Sequence, residues 1–114
     1  MSRQAWALRD KLLEVNDLRD EGAALHEVHP EVSFRAMAGA PLLHGKRTWT
    51  GQRQREGLLR HVGIELPAEI GQAGEAAVDD VLDAAAAAWT ARRIAFGHAR
   101  SLPEPPESGI AIWY

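Results

Sequence analysis

Cysteine is absent from the 114 residues, which excludes disulfides, thiol nucleophiles and thiolate metal sites. No apolar run approaches the ~18 residues that a membrane-spanning helix requires, and no basic segment followed by an apolar one opens the chain. Neither a membrane span nor a secretory signal is expected, and the cytoplasm is the expected compartment. Charge of neither sign dominates: a net charge of −3 argues neither for nor against a nucleic-acid partner. What is present suits one globular domain over residues 1–114, since 46% hydrophobic and 25% charged residues exclude a disordered chain.

Helical spacing of Trp6, Leu8, Leu12, Leu13 and Val15 predicts a helix from Ser2 to about Leu18, with Gly22 near its C-terminus. Ala24 to His29 alternates weakly and is of strand length, and Pro30 stops it. Glu31–Ala38 reads as a short helix with Pro30 at its start and Gly39 as its breaker. Leu42–Gly51 reads as a basic loop. Thr50 is the expected N-cap of a helix over Gln52–His61, closed by Gly63, with Leu58, Leu59 and Val62 on one side. Ile64–Gly74 is a connector, and a long alanine-dense helix is expected from Ala76 to Ala95, ending before Gly97. Leu102–Glu107 carries three prolines and is expected to be neither helix nor central strand. Ile110–Tyr114 is a closing apolar strand. The pattern is α/β, helix-rich and poor in strands. Two short strands do not make a stable sheet alone, so either helices carry the core or association completes the sheet.

The long helix concentrates the chemistry. Asp80 and Asp83 lie about 60° apart and Asp79 and Asp83 about 40° apart around its axis. Two apolar faces are expected, one with Ala84, Ala87, Ala91 and Ile94 beside the acids, the other with Val78, Leu82, Ala85, Trp89 and Phe96. Like charges on a partly buried face are unfavourable unless a cation or strong donors offset them. A divalent-metal site is one reading. Favourable placement of Glu75, Asp79 and Asp80 near the positive end of the helix dipole is the other, and it weakens at Asp83, one turn further in.

Two further clusters stand out. His26-Glu27-Val28-His29-Pro30-Glu31 holds several potential ligands, although Pro30 forbids the helical zinc pattern. On a strand, Glu27 and His29 share a face and reach a common site at its end; the alternative is a solvated strand terminus. His44–Val62 carries Lys46, Arg47, Arg53, Arg55 and Arg60 against one acid, Glu56. That excess suits phosphate or nucleic acid, or a solvated face. Trp49 is expected to act as an aromatic staple at the helix start, and Trp6 and Trp89 as core or interface anchors.

With RQAWALRDKLLEVNDL, EVHPEVSFRAMAG, GKRTWTGQRQRE, VDDVLDAAAAAWTARRIAFG and a terminal IWY, the chain resembles the C-terminal half of the domain-of-unknown-function family numbered 429, described as predicted ribonuclease-H-like nucleases. In that superfamily, acids on the first strand, the fourth strand and the last helix hold two Mg²⁺ or Mn²⁺ ions that position water and stabilise the leaving oxygen of a phosphodiester. The resemblance implies that Glu27 is the fourth-strand acid and that Asp80 and Asp83, with Asp79 beside them, are the helix acids. His29 and Glu31 belong to the motif without an assigned role. Lys46, Arg47, Arg53 and Arg55 are candidate phosphate contacts. No segment matches the family's first strand with its Gly-x-Asp-Gly motif and first metal-binding aspartate. The implied protein is therefore a partial ribonuclease-H-like fold, inactive or weakly active alone, completed by a second copy in a homodimer or by a separately encoded first half. A non-enzymatic homodimeric or partner-binding module, and a phosphate-binding protein without cleavage, are the alternatives.

Overall fold

A computed structural model describes residues 11, 13–15, 17, 25–107 and 110–114. Residues 11, 13–15 and 17 are helical; Trp6, Leu8, Leu12, Gly22 and Ala24, and the readings placed on them, lie outside the described residues. The remaining chain is mixed α/β and helix-rich, with a small sheet, as the element pattern implied.

Strand β1 is short, Glu27–Val28. Pro30 opens helix α1, Pro30–Ala38, and its fixed φ suits the first helical position, where no donor is needed. Gly39 ends α1 at φ 73°, donating its N–H to the Arg35 carbonyl; a side chain there would be strained. Helix α2 spans Trp49–His61. Its N-cap is Thr48 rather than the expected Thr50. Thr48 is extended and its hydroxyl works twice, accepting from Gly51 N–H at 2.9 Å and donating to the Gly45 carbonyl at 2.7 Å. Thr50 is already helical, and Trp49, at the first helical position, is 74% exposed with Arg53 over its ring, so it staples nothing.

A short 3₁₀ turn, Gly71–Glu75, leads to helix α3, Val78–Ala95. The helix starts at Val78 and not at Ala76, because Ala76 and Ala77 hold extended ψ values of 157° and 144°. It buries one stripe, Leu82, Ala85, Ala86 and Thr90, instead of two opposed faces. Ala84 and Ala91 are exposed, as are Val78 and Phe96. The stripe packs on α1 and α2, and Phe34, Leu59, Leu82, Ala85 and Ala86 form the core, with Met37, Leu42, Leu58, Ile64 and Leu66 around it. Where α1 meets α3, the buried hydroxyls of Ser33 and Thr90 satisfy each other at 2.7 Å. Trp89 lies outside that core, half-buried beneath Arg93.

The sheet has three strands in the order β1-β3-β2, with β2 at Ser101–Glu107 and β3 at Ile110–Trp113. The apolar terminal segment is therefore its centre. It pairs in parallel with β1, Glu27 opposite Ile112 and Val28 opposite Trp113, and antiparallel with β2. The proline-rich crossing is neither helix nor central strand, as expected, but it adds a third strand to the two that were counted. It occupies an edge, where Pro103, Pro105 and Pro106 can lack N–H groups without breaking a ladder on both sides. The outer edge of β1 is unpaired among the described residues.

Gly51 is fixed by close approach: a Cβ there would lie 1.8 Å from the Gly45 carbonyl oxygen. Gly51→Ala is expected to displace the loop and destabilise the fold by about 1–3 kcal/mol, read as a lowered urea midpoint at unchanged slope. An unchanged midpoint would show that the loop yields freely.

Candidate functional site

The basic loop before α2 and the acidic head of α3 form one site. Residues 44–48 are held by three independent contacts. The buried guanidinium of Arg55 donates to the His44 carbonyl at 2.9 Å, to the Gly51 carbonyl at 2.9 Å, and through Nε to Glu31 at 3.0 Å. A second contact to Glu31, from Nη2, completes a fork on that carboxylate. Thr48 and the Gly45–Gly51 contact fix the rest of the loop.

That loop carries Lys46 and Arg47 to α3. Lys46 Nζ donates to Asp83 Oδ2 at 3.0 Å and lies 3.9 Å from Asp79 Oδ2. Arg47 Nε lies 3.6 Å from the same Asp79 oxygen. Asp79 and Asp83 have side chains only 13% and 21% exposed, so the offset that their like charges require comes from an ammonium and a guanidinium. The Asp83 hydrogen bond and charge, helped by Asp79 and Glu31, raise the Lys46 pKa above the ordinary lysine value against the opposing effect of burial. The other oxygen of Asp83, Oδ1, is buried without a hydrogen-bond partner.

The candidate residues thus divide. Asp79 and Asp83 are brought together with Lys46 and Arg47. Asp80 is exposed and joins no ion pair among the described residues. Glu27, on β1, is half-exposed and lies 3.1 Å from His29 Nε2, the strand-end pair expected from their shared face. Arg53 is engaged by Glu56 at 2.8 Å and stacks over Trp49. Arg55 is 2% exposed with its donors committed inside the fold, so it serves the loop and is not available to a phosphate. Sequence reasoning missed the joining of the two clusters and the Glu31–Arg55 fork. The available signal was a pair of uncompensated segments of opposite sign, 46–47 and 79–83.

Among the described residues, no group of three or more His, Asp or Glu is placed to hold a metal ion. The donor set explains why these residues do not by themselves fit the two Mg²⁺ or Mn²⁺ ions that the resemblance implies. Asp83 Oδ2 is occupied by an ammonium, Asp79 faces two cations, Asp80 is exposed, and Glu27 is paired with His29. No catalytic step through a metal follows from this arrangement.

The architecture defines a helix-rich α/β protein with an ion-paired acidic helix head. The chain belongs to the family described as protein of unknown function (DUF429), whose family model matches residues 1–108. Among curated proteins and among solved structures, nothing matches it. No described helix is long and apolar enough to cross a membrane.

Lys46→Met is expected to destabilise the fold by about 1 kcal/mol near neutral pH. Because the folded pKa is raised, the contribution of Lys46 is fully present below the unfolded value of about 10.4 and is lost as pH rises through the folded value. The gap between wild-type and Lys46→Met urea midpoints should be constant from pH 7 to 9 and close above roughly pH 10.4. A gap that persists at high pH would assign the loss to the lysine stem rather than to its charge.

Proposed function

We propose that the chain is a ribonuclease-H-like, nuclease-related unit that does not complete a divalent-metal phosphodiesterase centre alone. The first metal-binding acid would come from a strand outside these residues. The supporting observation is the position of Glu27. It lies on β1, which among the described residues is an edge strand paired in parallel with β3 on one side only, and its side chain is half-exposed. An added strand would extend the sheet by main-chain hydrogen bonds at the acid that the resemblance makes catalytic. Membership of the family carries the rest of the argument.

In this reading Glu27, Asp80 and Asp83 are the catalytic carboxylates, with Asp79 as a further metal ligand. They wait on a missing partner acid and on the release of Asp83 from Lys46. The Mg²⁺ or Mn²⁺ ions would supply Lewis acidity once bound. The chain's own contribution is to hold the carboxylates on a rigid strand and helix.

A homodimeric module is the second reading, favoured by Ile110 and Leu102, which are 72% and 49% exposed on the sheet. Both readings place association at the centre of the function.

Isolated chain titrated with Mn²⁺ is expected to show at most weak binding and no cleavage of a single- or double-stranded oligonucleotide. Micromolar Mn²⁺ binding that Asp80→Asn or Asp83→Asn abolishes would overturn the incomplete-site reading. Sedimentation at low micromolar concentration separates the alternatives. A monomer argues against the homodimer and leaves the supplied strand, whereas a stable dimer argues the reverse.

A further inference from the structure

Ten residues along α3 from Asp83, about 15 Å of helix, lies a second site of opposite character. The described arginines fall into two groups. Arg47, Arg53, Arg55, Arg60 and Arg100 each lie against a carboxylate. Arg35, Arg92 and Arg93 stand in no ion pair among the described residues. Arg92 and Arg93 line a cleft of about 450 Å³ with Val62, Trp89, Phe96 and His98. Arg93 also lines an adjoining cleft of about 620 Å³, together with Arg35.

The last-turn position of Arg92 and Arg93 suits the negative end of the α3 dipole. The dipole does not account for the aromatic rings around them, nor for the Arg93 Nε, which is buried without a hydrogen-bond partner among the described residues. Trp89 holds Arg93 in place, its ring centroid 4.5 Å from the guanidinium carbon. Phe96 is 66% exposed, with Arg92 5.8 Å from its centroid on the helix side and the His98 ring in a near-parallel arrangement 6.4 Å away. The cleft therefore presents a planar apolar surface beside two guanidiniums that lack counter-charges. Aromatic faces take bases, and paired guanidiniums take phosphate oxygens.

We propose that this cleft binds a phosphate-bearing nucleobase, with the base stacked at Phe96 and His98 and the phosphate held by Arg92 and Arg93. The ligand is either a free nucleotide or the 5′-phosphorylated end of a single strand, which share this chemistry. The site is independent of the proposed nuclease centre, with which it shares no residue.

Calorimetric titration of the full chain with AMP tests this, with adenosine and orthophosphate as partial probes and a 5′-phosphorylated tetradeoxyadenylate beside its 5′-hydroxyl form. AMP is expected to saturate the protein with a dissociation constant below about 1 mM, and each partial probe to bind more weakly. Arg93→Gln should weaken AMP at least about tenfold, and Phe96→Ala, at an exposed position that leaves the core intact, at least about fivefold. Arg53→Gln, which removes an exposed arginine that lies over Trp49 and is already engaged by Glu56, should leave AMP binding unchanged. A tighter 5′-phosphorylated strand with a weak 5′-hydroxyl form identifies a strand end; AMP equal to or tighter than the strand identifies a free nucleotide. No saturable heat up to about 5 mM AMP, wild-type affinity in both Arg93→Gln and Phe96→Ala, or an equal loss in Arg53→Gln would each overturn the proposal.

Discussion

The buried guanidinium of Arg55 is the constraint on which the rest of the site depends. A guanidinium removed from water must find acceptors for its donors, and here they come from three segments: Glu31 on α1, the His44 carbonyl of the loop, and the Gly51 carbonyl of α2 itself. One side chain thereby ties α1 to α2 and fixes where the intervening loop leaves the core. Gly45 and Gly51 pass too closely for a side chain on Gly51, and Thr48 bonds to both ends of the same turn. With the loop pinned on either side of it, Lys46 has little freedom except to reach α3.

That reach resolves an electrostatic problem posed by α3. The helix dipole favours acids in its first turn but acts weakly at Asp83. Asp83 and Asp79 lie along the same line as Ala86 and Thr90, the buried stripe, so they are drawn partly out of water by the packing that makes the core. An ammonium and a guanidinium supply the opposite charge. A lysine is a compact charge on a flexible stem, so the compensation is tethered but exchangeable. Any external cation that approaches Asp83 must share it with Lys46 or displace it.

Local patterns in the sequence were sufficient for much of this. Pro30 and Gly39 bracket α1, because one presets a helical φ and the other admits the left-handed one. The alanine-dense segment marks α3 to within two residues at its start, and the terminal apolar run marks β3. The errors are all non-local. Thr48 and Thr50 are equivalent as caps until the position of Gly45 is known. The proline-rich segment is neither helix nor central strand, as expected, but its place in the strand count could not be read until β3 showed the edge it joins. Periodicity alone admitted two buried faces on α3, since alanines suit either environment, and only the placement of Phe34 and Leu59 shows which one is covered. The acidic and basic clusters were both visible, but their union required knowing that residues 46 and 83 meet.

The sheet supplies the last link between fold and chemistry. Strand β1 has two residues, and its place is set by β3, with the His26 ring edge-on to Trp113 reinforcing the junction. Among the described residues its other edge faces no neighbouring strand. Glu27 therefore sits on the outer described edge of the sheet. The acids of α3 are satisfied differently: Lys46, tethered by its own loop, donates to Asp83 and faces Asp79. The described sheet thus ends at an exposed carboxylate, whereas the carboxylates of α3 are neutralised from within the chain.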